Sequence, residues 1–417
     1  MKKLIYKIMS CIISVTLLTC GFVSCAANGT SSGGSKKSGS DEHASTPVDD
    51  LATDTESESA SESTSESDST EDPVTPRPQP SDKTELYVFA PYNGSLMESI
   101  VIKTKNNKLI VIDGGIDSTG ANSEPYLPSA LRSILCLKEG EYFEVEAWFL
   151  SHGHKDHIRE LVKCLYNYSS KSNYKINNFY FDFPDFHEYY AARDGRPAYE
   201  NGNPDQDYVD DLKANLNAYA RLNNIEIKSE SGDWYDDLNG AVINAAAIEN
   251  GLDIWVDDVR FEIMQTWDYS GRSSSNDVNE TSLVMRAWVD GQSILFLNDA
   301  TPGAGSRLAF KYGNDLKSDI VQMAHHGQRG VTENVYKLVK APVHLWCTPL
   351  WVWNNPSGIY EISQNRKWVN DGVDFTEPDA HNIVACKYEA YPSDPTSIED
   401  WDKVKDGMKI TLPYNPD

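Results

Sequence analysis

Three histidines and an aspartate crowd into six residues, His152-Gly-His154-Lys-Asp156-His157, in a chain with only nine histidines. Imidazoles and carboxylates are the donors that hold zinc-like ions in water-activating sites. His152 and His154 stand two apart directly after the apolar run Glu146-Ala-Trp-Phe-Leu150, which reads as a buried strand. Alternate side chains at a strand end can face one ion. Asp156 and His157 follow one turn later, where the amphipathic spacing of Ile158, Leu161, Val162 and Leu165 predicts a helix. From that helix start they can address a second ion nearby.

These residues match in full the HxHxDH signature of the metallo-β-lactamase superfamily, and the chain resembles that superfamily from about Leu86 to beyond Ala385. The resemblance implies an α/β fold, a four-layer αββα sandwich, around two divalent metal ions, zinc first and manganese as the alternative. It casts Asp113, in Val111-Ile-Asp-Gly-Gly115, as the strand-end carboxylate that orients metal ligands from behind. Asp299, closing Ile294-Leu-Phe-Leu-Asn-Asp, takes the position of the carboxylate that bridges both ions, and His325-His326-Gly327 the last ligand position. One ion would then hold Asp156, His157, Asp299 and one histidine of the pair, and the other only His152, His154 and Asp299. Neighbouring side chains leaving a strand point apart, so His326 is expected to ligate and His325 to donate to a substrate oxyanion or leaving group, or to act by packing. His325 and Asp156 are the candidate catalytic residues.

Within the superfamily, the order Asn279-Glu-Thr-Ser, Asp299, His325-His326 resembles the hydrolase domain of bacterial competence DNA-uptake channel proteins. The departures are specific. Asn298 stands where a glycine is usual, Arg159-Glu160 replaces a Gly-Gly pair, and the subgroup's Gly-Gln-Gly-Asp segment is not recognisable at Pro91-Tyr-Asn-Gly-Ser95. The middle histidine ligand is missing. The only histidine between His157 and Asp299 is His187, read as an ordinary loop residue, with a reach to the metal as the alternative.

Other elements must carry these groups. Leu86–Ala90, Ser99–Thr104, Lys108–Ile112 and residues 176–184 read as strands, and Pro128–Glu139 as a helix. Residues 207–222 read as a polar helix, Val259–Met264 as a half-buried strand, and Thr281–Trp288 with Ser293–Leu297 as a hairpin turning at Asp290-Gly291. Asp319–Ala324 and Val343–Cys347 are further strands, and the run Trp346, Trp351, Trp353 reads as core or rim, with a cage for a cationic group as the alternative.

Upstream, Lys2, Lys3 and Lys7 precede an apolar stretch, Ile8–Val23, that is too short and polar to span a membrane. It closes at Phe22-Val-Ser-Cys25, similar to a bacterial lipoprotein cleavage box, so residues 1–25 are expected to be a lipoprotein signal peptide with lipid on Cys25; Cys20 is the weaker alternative. Residues 26–83 are acidic and Ser/Thr-rich, with few large apolar side chains, and are expected to be a disordered linker. Residues 84–417 form the hydrolase domain. It would sit at the outer face of the cytoplasmic membrane, anchored through Cys25. Its net charge of −20 gives no footprint for a phosphate backbone, so no nucleic-acid surface is expected. Cys136, Cys164, Cys347 and Cys386 lack CxxC spacing and can form two disulfides or remain four thiols.

The reading is a cell-surface, metal-dependent hydrolase that uses a metal-bound hydroxide on a phosphoester or phosphodiester of small-molecule or cell-envelope origin. The alternatives are a lactam- or lactone-type amide or ester hydrolase, and a non-catalytic surface binding module on the same scaffold.

Overall fold

The computed structural model describes residues 79–89, 96–116, 125–168, 173–183, 204–223, 252–266, 278–354, 362–385 and 409–417. Cys25, His187, Cys386, the leader and nearly all of the linker lie outside them. At the linker's end, Lys103 Nζ donates to the carbonyls of Ser81 (2.7 Å) and Lys83 (3.1 Å), so contact with the body begins just before Thr84.

The strands are β1 Thr84–Val88, β2 Ile100–Lys103, β3 Leu109–Ile112, β4 Phe143–Phe149, β5 Tyr174–Ile176, β6 Phe179–Tyr180, β7 Leu252–Val256, β8 Val259–Gln265, β9 Val284–Val289, β10 Gln292–Phe296, β11 Ile320–Gln322, β12 Val343–Trp346, β13 Asn382–Val384 and β14 Lys409–Leu412. They form two seven-stranded sheets, one ordered β14-β1-β2-β3-β4-β5 with β6 also on β4, the other β13-β12-β11-β10-β9-β8-β7. Each sheet is antiparallel on one side and parallel on the other, the change falling at β3–β4 and at β10–β11. The helices are α1 Leu127–Ile134, α2 Lys155–Tyr168, α3 Pro204–Leu222, α4 Pro302–Tyr312, α5 Glu333–Val339 and α6 Ile362–Val369.

Burial alternation sorts these elements into layers. In β10, Ile294 and Phe296 join the same apolar cluster as Val111, Phe149 and Phe261, where the two sheets meet. Leu295 and Leu297 face the other way, into a cluster with Leu308 of α4, Val335 of α5 and Ile362 of α6. Helix α2 buries Ile158, Leu161 and Leu165 on the first sheet, and α3 stacks on α2 through Tyr168 and Tyr219, 4.6 Å between ring centroids. The result is helix, sheet, sheet, helix, the αββα sandwich that the resemblance implies.

Several elements differ from expectation for visible reasons. Helix α1 stops at Ile134 rather than Glu139, because Cys136 takes a left-handed conformation (φ 55°) that ends the helical run. Residues 176–184 split into the ends of β5 and β6. Helix α3 is amphipathic rather than polar, with Val209, Leu212, Leu216 and Tyr219 buried. The hairpin does turn at Asp290-Gly291, where both residues have positive φ (48° and 84°), as a two-residue turn of this type requires. Cys164 and Cys347 are buried free thiols, and Cys136 is half-buried. Trp346 and Trp353 are core residues packed edge-on with Phe375, and the Arg366 guanidinium covers Trp353 at 4.9 Å, which leaves no cage; Trp351 is exposed.

Phe149 and Phe261 pin the sheets together with ring centroids 4.5 Å apart. Phe261→Ala is expected to cost about 3–5 kcal/mol in urea unfolding. A loss below about 1 kcal/mol would show that this contact does not hold the layers.

Candidate metal centre

The candidate ligands all follow the carboxyl ends of parallel-side strands: Asp113 after β3, His152 and His154 after β4, Asp299 after β10, and His325 and His326 after β11. Such ends are where α/β sheets open a crevice for ligands. Helix α2 starts there too and carries Asp156 and His157 in its first turn.

Asp113 organises the first sheet's share. Its Oδ1 accepts from Ser151 N–H (2.7 Å), and its Oδ2 accepts from the Ser151 hydroxyl (2.6 Å) and faces His157 Nδ1 (2.7 Å). His157 is thereby held by Nδ1, which leaves Nε2 pointing inward. Ser151 Oγ also lies 2.9 Å from His152 Nδ1, and His152 Nε2 sits 3.0 Å from His154 Nδ1, so the two rings converge on one point.

The second sheet uses left-handed backbone. Asn298, where a glycine is usual, has φ 46°, a conformation that Asn tolerates better than other side chains. Its side-chain amide donates to Leu283 O, and its N–H donates to Gln322 Oε1 (2.6 Å), which fixes the turn into Asp299. His325 and His326 also have positive φ, 52° and 56°, strained values for such residues. His326 is fully buried; its Nδ1 lies 3.1 Å from Cys347 O, which it can reach as donor, leaving Nε2 bare. The alternation argument for the pair fails here, since the backbone has left the strand. Both Nε2 atoms come near the same Asp299 oxygen, at 3.7 Å for His325 and 3.6 Å for His326.

Donor atoms gather in three overlapping groups, each with all its atoms within 4.8 Å: His152, His154 and Asp299; Asp156, His157 and His326; Glu98, Asp299 and His326. The first has the residues expected for one position; the second has Asp156, His157 and His326 of the other without Asp299, which falls in the first and third groups. Glu98 was not anticipated. It stands at the threshold of the apolar run Ser99-Ile-Val-Ile, and nothing in that segment marks it as a ligand.

The electrostatics suit cations. Burial alone would lower His157, but the charges of Asp299 and Asp113 outweigh it and hold the imidazole well above its usual range. Burial likewise opposes the shift of His326, which Asp299 and Asp156 push up to about 9. Burial would raise Asp156 and Asp299, yet the neighbouring histidines keep both below the usual carboxylate range. Burial and the His157 charge hold His152 well below its ordinary value, and burial pushes Glu98 up to about 8. His157 Nε2, His326 Nε2, Asp299 Oδ1 and Glu98 Oε1 are buried without a well-formed hydrogen bond. Bare buried donors of these types, facing each other, fit divalent ions.

A cleft of about 330 Å³ opens over the groups. His154, Lys155, Asp156, Asn279, Asp299 and His325 line it, with Leu96 and Tyr208 at the sides. Asn279 is held by the turn Val278–Thr281, which Glu280 ties to α4 through an ion pair with Arg307 (2.6 Å) and a hydrogen bond from Thr301. The Arg159-Glu160 departure is also structural: Arg159 pairs with Asp211 of α3 (2.8 Å), and Glu160 accepts from Leu127 N–H at the start of α1 (3.0 Å).

No family model matches the chain, and no curated protein matches it. Among solved structures it is similar to the metallo-β-lactamase fold protein YhfI from Bacillus subtilis, at 11% identity over 70% of this chain and 94% of that one, with a TM-score of 0.35. A diphosphatase from the PhnP family is similar at 13% identity over 67% and 93% (TM-score 0.31). CmlA, a diiron β-hydroxylase from Streptomyces venezuelae, is similar at 10% identity over 80% and 55% (TM-score 0.35). Likenesses this faint carry no argument, and the fold stands on its own sheets and layers.

Because His157 and His326 hold protons at neutral pH in the metal-free protein, and ligation needs neutral imidazoles, metal uptake at pH 7.5 should release roughly two protons or more per chain. Metal affinity should therefore rise with pH as these imidazoles give up their protons, the His326 contribution ending near pH 9. Proton release followed with an indicator dye in weak buffer checks this. Uptake without release would contradict the arrangement.

Proposed function

We propose that this chain is a metal-dependent hydrolase of phosphoesters or phosphodiesters. It works outside the cell, tethered to the cytoplasmic membrane through Cys25. The observation that carries the activity is the cleft: residues of two donor groups line it together with Lys155, Asn279 and His325. That setting suits an anionic oxygen better than a neutral amide carbonyl. The likeness of the second half to competence-channel hydrolase domains points the same way, while the acidic body disfavours a long duplex as substrate.

His152, His154 and Asp299 would hold one ion, and Asp156, His157, Asp299 and His326 the other. Divalent cations held there would lower the pKa of water towards neutrality and offset the charge that grows on a phosphoryl oxygen. Asp156, part-exposed on the cleft, is placed to accept the proton of the attacking water. As the new bond to phosphorus forms, the ester P–O bond breaks, and His325 gives a proton to the departing oxygen. Lys155, at the first turn of α2, draws a non-bridging oxygen toward the helix N-terminus.

Purified protein reconstituted with zinc or manganese should cleave chromogenic phosphodiesters or phosphomonoesters, and not lactams or lactones. His325→Ala should lower kcat on the order of 10²-fold, while Lys155→Ala should chiefly raise KM. Lactam or lactone turnover without any phosphoester turnover would overturn this reading.

A further inference from the structure

Glu98 takes no part in the steps above, yet it forms a wall of the same centre. The residue is fully buried, and one carboxylate oxygen lies within 4.8 Å of the donor atoms of Asp299 and His326. Its position is fixed from two sides. Its backbone N–H donates to the carbonyl of Asp156 (3.2 Å), itself a candidate ligand. Its Oε2 accepts from Gln322 Nε2 (3.0 Å), and the same nitrogen donates to Met323 O (2.8 Å). The other end of that amide, Oε1, receives the Asn298 N–H that sets the turn into Asp299. One glutamine thus positions both carboxylates. Glu98 Oε1 is left buried with no hydrogen-bond partner among the described residues. A bare carboxylate oxygen in such a place is costly unless a cation meets it.

Resting on the two-metal reading above, we propose that Glu98 is a direct donor to the ion held by Asp156, His157, Asp299 and His326. That position then has five protein donors, three carboxylates and two imidazoles. Zinc favours four donors in a tetrahedron, whereas manganese(II) and iron(II) favour six with more oxygen. The extra carboxylate therefore adapts this position to a six-coordinate cation. The other position, with His152, His154 and Asp299, keeps a nitrogen-rich set suited to zinc.

The test separates the two metals. Metal-free full-length protein is titrated with manganese(II), with free ion read by its paramagnetic resonance spectrum, and separately with zinc against a chromogenic chelator. Glu98→Gln is isosteric and keeps an oxygen for Gln322. It should weaken manganese binding at least about tenfold and zinc binding much less, because four donors remain. Glu98→Asp, one methylene shorter, should shift the ratio in the same direction and serves if the glutamine variant does not fold. Unchanged manganese affinity in the variants, or equal losses for both metals, overturns the role of Glu98 while two-ion binding by wild type leaves the centre standing. Wild type that binds neither metal overturns both.

Discussion

The Asp113 carboxylate sets the metal-facing geometry of the first sheet. It sits just past β3 and grips the N–H and hydroxyl of Ser151 past β4 and the ring of His157 on α2. Two strands and a helix are thereby locked at one point, and His157 presents a bare Nε2 atom to the same space into which His152 turns its Nε2, 3.0 Å from His154 Nδ1. Gln322 does the equivalent work on the second sheet, where it holds both Asn298 and Glu98. Such buried hubs specify orientation only when each member is satisfied, which makes the arrangement all-or-none.

The same constraint explains the charge pattern. In the metal-free protein the carboxylates and imidazoles act as one another's counter-ions, so His157 and His326 are raised while Asp156 and Asp299 are lowered. The separations are too long for good hydrogen bonds: 3.4 Å from His157 Nε2 to Asp299 and 3.3 Å from His326 Nε2 to Asp156. A cation between the groups would replace protons with a shorter, stronger partner. The left-handed backbone at His325 and His326 fits this picture, since strain of this kind persists where the surroundings over-determine a functional geometry. Gly327, at φ 75°, lets that turn press on Trp346, where a Cβ would meet the ring at 2.5 Å.

Much of this was legible in the chain. The spacing of His152, His154, Asp156 and His157 announced a strand end running into a helix, alternation placed β8, and the Asp290-Gly291 turn placed the β9–β10 hairpin. Helix α3 was misjudged as polar because its buried positions are spread among charged and amide residues. The end of α1 turned on the left-handed conformation of Cys136, for which no glycine gives warning. Glu98 escaped because it touches the other donors only through tertiary packing; nothing within its own segment distinguishes a ligand from a solvated acid. The His325–His326 pair was misread geometrically, since strand alternation does not survive two left-handed residues. Asn298 is the opposite case: a departure in sequence that brings in a residue type tolerant of left-handed backbone.

The account's central claim is that these buried histidines and carboxylates form two adjoining cation positions that share Asp299. Metal content of the full-length protein, purified without chelator and then saturated with zinc or manganese, tests it most directly. Two equivalents per chain in wild type, falling to one or fewer in Asp299→Ala with the fold retained, is the predicted result. Wild-type protein that takes up no transition metal, or an Asp299→Ala variant that keeps both equivalents, would contradict it.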